Sequence, residues 1–96
     1  MSVTFHIPGP LREFAEGHSV VEIAHSPANL ADALSALWIL YPGLRSRVAT
    51  EQGEIREHIN IFIGDENVRF TGGLMSSLSA VSEISIVPNI SGGENI

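Results

Sequence analysis

The sequence predicts an α+β fold of the β-grasp, ubiquitin-like kind: a mixed sheet of about five strands packed on one main helix. Three observations lead there. Residues 3–7 and 58–63 alternate apolar and polar with a period of two, as half-buried strands do. A single long segment, from Pro27 to Tyr41, carries helical periodicity. The order strand, strand, helix, strand, strand, turn, strand then sets one helix between two hairpins, and covering one face of a sheet is the economical packing for it. In that topology the first and last strands pair in parallel at the centre of the sheet.

Val3, Phe5 and Ile7 share one face of the first strand until Pro8, Gly9 and Pro10 stop the ladder. Residues 18–25 read as the second strand, after a polar turn at Glu16 and Gly17 and a long irregular connection. Ser26 followed by Pro27 is a favoured helix start, because a proline at the first position lacks an N–H that would have no partner anyway. Leu30, Ala33, Leu34, Leu37 and Tyr41 make the apolar stripe, Asp32 and Ser35 face away, and Pro42 with Gly43 ends the helix. Ile39 falls on the polar side, where the segment after Gly43 is expected to cover it. Residues 44–50 suggest a short helical turn before a loop at 51–53.

The strongest strand signal follows: Ile59, Ile61 and Ile63 on one face, His58, Asn60 and Phe62 on the other. Gly64 to Asn67 supplies turn residues before a short strand at Val68, Arg69 and Phe70. Gly72 and Gly73 precede a single helical turn with Leu74, Met75 and Leu78, and their expected role there is to permit positive φ. The last strand spans Glu83 to Val87 and is closed by Pro88. Residues 1–88 are therefore read as the β-grasp domain and 89–96 as a flexible C-terminal tail carrying Gly92 and Gly93.

Charge and composition exclude several functions. Five arginines, no lysine and eleven acidic residues give a formal net charge of −6, which disfavours nucleic acid and an anionic membrane surface as partners. Without lysine the chain cannot accept an isopeptide bond; it can only donate one. The absence of cysteine removes thiol catalysis, disulfides and thiolate metal sites, and suits a cytoplasmic setting. The N-terminal residues alternate where a signal peptide would be basic and then apolar, and no apolar run approaches the roughly 20 residues of a membrane span.

The same search finds no enzyme. His6, His18, His25 and His58 form no metal-binding motif and read as solvent-facing strand residues, and no nucleotide-binding glycine pattern is present. The second glycine pair, Gly92 and Gly93, lies past the last strand, where no element needs a turn. Residues without Cβ suit a chain end that another protein must thread through a narrow slot.

Ile7 Pro8 with Leu11 Arg12, then Leu40 to Leu44, Asn60 to Ile63, Asp65 to Leu74, and Val87 Pro88 with Gly92 Gly93 run in order along most of the chain. In these stretches it resembles the MoaD/ThiS family of ubiquitin-like sulfur carrier proteins, most closely the branch that supplies sulfur for cysteine synthesis. The resemblance implies a non-enzymatic carrier that binds no cofactor itself. An E1-like adenylating enzyme uses ATP to couple the terminal glycine carboxylate to AMP. A sulfur donor displaces the AMP, and the resulting thiocarboxylate passes its sulfur to a downstream synthase. The product, whether cysteine, molybdopterin, thiamin or another sulfur metabolite, stays open.

One departure matters. By that resemblance the family's mature members end at the second glycine, whereas Glu94, Asn95 and Ile96 follow here. The resemblance implies removal of these three by a JAMM-type zinc metalloprotease, with Ser91, Gly92 and Gly93 as the segment that the partner enzymes grip and Gly93 as the sulfur-bearing residue. Alternation places Phe62 and Val87 on the sheet face opposite the helix, and these two, with Ile90 and with Arg12 of the Leu-Arg motif, are the candidate docking residues. The alternatives are a β-grasp interaction module or regulatory subunit that is never activated, and a ubiquitin-like modifier conjugated through Gly93.

Overall fold

A computed structural model describes residues 2–24, 27–78 and 81–88. Five strands form one sheet: β1 (Ser2–His6), β2 (Val20–Ile23), β3 (Ile59–Ile63), β4 (Glu66–Asn67) and β5 (Val81–Pro88), in the order β2-β1-β5-β3-β4. β1 and β5 pair in parallel and every other pair is antiparallel. The β-grasp topology is thus the one expected, with the first and last strands at its centre.

The strand alternation becomes burial directly. Val3, Phe5, Val21, Ile23, Ile59, Ile61, Ile84 and Ile86 are buried beneath α1 (Leu30–Leu40), which contributes Leu30, Ala33, Leu34 and Leu37. Removing each of these Val, Leu, Ile and Phe side chains from water supplies about 1.5–3 kcal/mol. No helix among the described residues is long and apolar enough to cross a membrane.

Four expectations need correction. The helix starts at Leu30, not at Pro27. Ala28 O accepts from Leu78 N and Asn29 bridges Ser77, which holds this stretch extended, and Asn29 Oδ1 then caps the helix by accepting from Asp32 N at 2.9 Å. Ser26 lies outside the described residues. Ile39 is uncovered, 81% exposed, because α2 (Pro42–Val48) turns the other way to bury Leu44 and Val48 near a 3₁₀ helix at Gly9–Ala15.

Val68–Phe70 is a 3₁₀ turn where a strand was expected, and the pairing residues are Glu66 and Asn67. Asn67 Oδ1 accepts from Arg69 N at 2.9 Å, which bends the chain out of the ladder. Arg69 Nη2 then reaches the carbonyls of Glu57 and Ile59 at 2.8 and 3.1 Å, while Phe70 is left exposed. Lastly, the second strand is shorter than residues 18–25, and His18 sits before it near the Tyr41 ring.

Candidate functional site

The sheet face away from α1 carries the candidate site, and its arrangement follows from register. Phe62 lies opposite Ser85 and Asn60 opposite Val87 across β3 and β5, while His6 lies level with Ser85 across β1 and β5. Residues two apart on a strand share a face, so Phe62 and Val87 are diagonal neighbours, within reach of each other's side chains. Phe62 is half-buried and Val87 is 42% exposed. On the far side of β1, Val20 pairs with His6 and is also exposed. A polar strip of His6, Ser85 and Glu83 therefore runs between apolar flanks, with His6 Nε2 2.8 Å from Glu83 Oε1. That pair is exposed at both ends and contributes about 0–1 kcal/mol.

Arg12 joins this surface at its rim. The 3₁₀ helix that carries it leaves from the end of β1, and Arg12 Nε donates to Ile7 O at 3.0 Å, which fixes the stem of the side chain. Arg12, Val20 and Val87 line one groove with His6 and Pro8. Thus Arg12 and Val87 come together, whereas Phe62 sits further down the open face. Ile90, Ser91, Gly92, Gly93, Glu94, Asn95 and Ile96 lie outside the described residues.

Besides Leu40 at the end of α1, three exposed apolar side chains escaped the sequence reading. Val20 had a usable signal, since Val20 and Glu22 alternate with Val21 and Ile23 and must face out if those face in. Phe70 and Met75, 85% and 70% exposed, had none, because both stand in 3₁₀ turns with no face to assign.

The described residues offer no enzymatic constellation. A cleft of about 250 Å³ between β3 and the turn at Gly73–Met75 is walled by Ile55, Ile59, Ile61, Val68 and Leu74, with Glu54 and Arg69 as its titratable groups. No group of three His, Asp or Glu is placed to hold a metal among them. What the arrangement offers is a partly apolar, exposed face beside the end of the central strand.

Comparison with known proteins agrees with the fold. Residues 5–93 match the sequence model described as the ThiS family. The chain is 32% identical to the sulfur carrier protein CysO of Mycobacterium tuberculosis over 95 residues, 97% of this chain and 100% of that one. Among solved structures, SAMP1 from Haloferax volcanii superposes with a TM-score of 0.80 at 32% identity, covering 97% of this chain and 100% of that one. The Amycolatopsis orientalis BexX/CysO complex contains a chain that superposes at 0.83 with 27% identity, covering 95% and 99%.

Proposed function

The chain belongs to the ThiS family, and from that premise we propose that it carries sulfur as a thiocarboxylate on Gly93 once Glu94, Asn95 and Ile96 have been removed. Sulfur carriers of this family are not enzymes. At the level of family likeness the chain is a sulfur carrier or a modifier of the small archaeal type; the carrier reading is the one argued here.

A carboxylate is a poor electrophile at neutral pH. Transfer of AMP from ATP to the Gly93 carboxylate releases pyrophosphate and gives the acyl carbon a leaving group. Attack by a sulfur donor then expels AMP and leaves a carbonyl bearing sulfur. The nucleotide, the metal ions and the acid-base groups belong to the adenylating partner. The carrier contributes a docking face and a tail. Because the sulfur rides on the main chain, a sequence without cysteine suffices.

The observation that carries the reading is where β5 ends. This strand lies at the centre of the sheet, with Val87 on the open face and Pro88 opposite Ile59 at the rim. Gly93 follows five residues later, a stretch that can span at most about 18 Å when extended. A partner holding Phe62, Val87, Ile90 and Arg12 thus has Gly93 within reach of a buried active site, and Ser91, Gly92 and Gly93 form the segment that enters it. A JAMM-type metalloprotease is the trimming partner in this account and a sulfur-accepting synthase the consumer.

Intact mass spectrometry tests it. The full chain is incubated with the trimming protease, then with its adenylating enzyme, ATP and sulfide. Loss of Glu94, Asn95 and Ile96 followed by exchange of one oxygen for sulfur is the expected result. A mass unchanged while a tight complex forms favours an interaction module. The likeness to small archaeal modifier protein 1, 34% identical over 83 residues, motivates the second reading, and attachment of Gly93 to lysines of other proteins in preference to sulfur loading would establish it.

A further inference from the structure

Positive charge is scarce in this chain, and the structure gathers much of it in one place. Arg47 and Arg56 line a polar pocket with Ser46 and His58. Each arginine is held by something other than a carboxylate. Arg56 Nε donates to Ser46 O at 2.9 Å and its amide to Val48 O, so it is pinned against the C-terminal turn of α2. The Arg47 guanidinium stacks on the Phe14 ring, 4.4 Å from its centroid. Eleven acidic residues are available in the sequence, yet the ion pair found among the described residues is His6 with Glu83. The forks of Arg47 and Arg56 are therefore positioned without a counter-charge from the described residues.

The pocket also has a meaningful address. His58 precedes Ile59, which lies opposite Pro88 where the described part of β5 ends. Phe14, the platform for Arg47, belongs to the same 3₁₀ helix as Arg12, and that helix leaves β1 at the level of the end of β5. Arg12, Arg47, Arg56 and His58 thus share the rim from which the sequence continues to Gly93.

We propose that this rim is a docking site for an acidic polypeptide segment of the protein that works on the tail, with its carboxylates entering the pocket of Ser46, Arg47, Arg56 and His58. The identity of that partner as a tail-processing protein rests on the function proposed above; the site itself does not. Guanidinium forks match carboxylates in bidentate geometry. The rest of a chain with net charge −6 repels an acidic partner except in the orientation that presents this rim. That same repulsion opposes a nucleic acid, whose charge extends well past the pocket.

The experiment titrates the isotopically labelled full chain with a hexaglutamate peptide and follows backbone amide resonances. Hexalysine and inorganic phosphate serve as comparison probes. Saturable shifts centred on Ser46, Arg47, Arg56 and His58 are expected with hexaglutamate. Binding should weaken roughly tenfold or more in about 1 M salt, where the Debye length falls to about 3 Å. Arg47→Gln, whose side chain is held by the Phe14 stack alone, should weaken binding about tenfold, with thermal melting as the check on folding. Shifts that are absent or spread over the surface overturn the proposal. So does phosphate binding as tightly as the peptide, or an unaffected Arg47→Gln. The assay uses neither Gly93 nor an activating enzyme, so its failure leaves sulfur loading standing, and the reverse also holds.

Discussion

At the scale of single residues the two glycine pairs are expected to do different work. Gly72 has φ +117 and Gly73 φ +59, both in the region that L side chains rarely adopt, so the structural role read for this pair from the sequence holds. A Cβ at Gly72 would meet Ser76 N at 3.6 Å, an ordinary contact, and the strain there is conformational. Gly72→Ala should therefore cost about 1–2 kcal/mol, lowering the melting temperature by roughly 4–16 °C for a chain of this size, while each folded molecule still accepts sulfur. Gly93→Ala should do the reverse. It lies past the last described strand, and melting should be unchanged within about 0.5 kcal/mol, whereas in the function proposed above sulfur loading should be lost, because a slot shaped for glycine has no room for a methyl group. Measuring melting and loading on both variants checks the pair, and normal loading of Gly93→Ala would contradict the steric argument.

At the scale of elements the sequence was most legible where burial is periodic. β1, β3 and the stripe of α1 announce themselves because each repeats its pattern over several residues and one face of each is sealed. Boundaries set by polar side chains bonding to backbone were not legible. Ser26-Pro27 has the local chemistry of a helix start, but Asn29 wins because a distant segment, Ser76 to Leu78, holds Ala28 and Asn29 extended. Likewise Val68–Phe70 has strand composition, yet the bond from Arg69 N to Asn67 Oδ1 and the reach of Arg69 to two carbonyls favour a 3₁₀ turn. Removing the cap in Asn29→Ala should cost about 1 kcal/mol, read by chemical denaturation. Arg69→Ala strips the carbonyls of Glu57 and Ile59 and the Asn60 side chain of a donor in one step. We expect a loss of about 1.5–3 kcal/mol for these charge-assisted bonds, with amide exchange accelerating first over residues 66–75 and only later in β1 and β5. Uniform acceleration throughout the sheet would show that Arg69 supports the whole fold and not this one corner.

At the scale of the whole molecule, the proposed function depends on having two chemically distinct faces on the same central strand. Ile84 and Ile86 of β5 seal the core while Val87 stands on the open side, so in the function proposed above adjacent residues serve stability and recognition separately. The candidate site was legible to the extent that this alternation is: Phe62 and Val87 follow from strand period and from parallel pairing of the ends. The cationic pocket does not, because Ser46, Arg47, Arg56 and His58 meet only where Ile55 and Arg56 double back onto the end of α2, through the Ala49–Ile55 bridge and the bonds of Arg56 to Ser46 O and Val48 O. Ile86→Asp would bury an unpaired carboxylate at a position 2% exposed, a change large enough to unfold a domain whose total stability is on the order of 5–15 kcal/mol. Val87→Asp, one residue further on, should leave melting within about 0.5 kcal/mol of the parent. It should nevertheless raise the carrier concentration needed for half-maximal loading about tenfold or more, because an apolar anchor has become a hydrated charge at the interface. Loading rates measured across a range of carrier concentrations decide the matter. A Val87→Asp carrier that loads at parental concentrations would place the grip of the adenylating enzyme elsewhere on the molecule, whereas a parental maximal rate with a raised half-saturation point would identify the open face as the surface that brings Gly93 to its reaction.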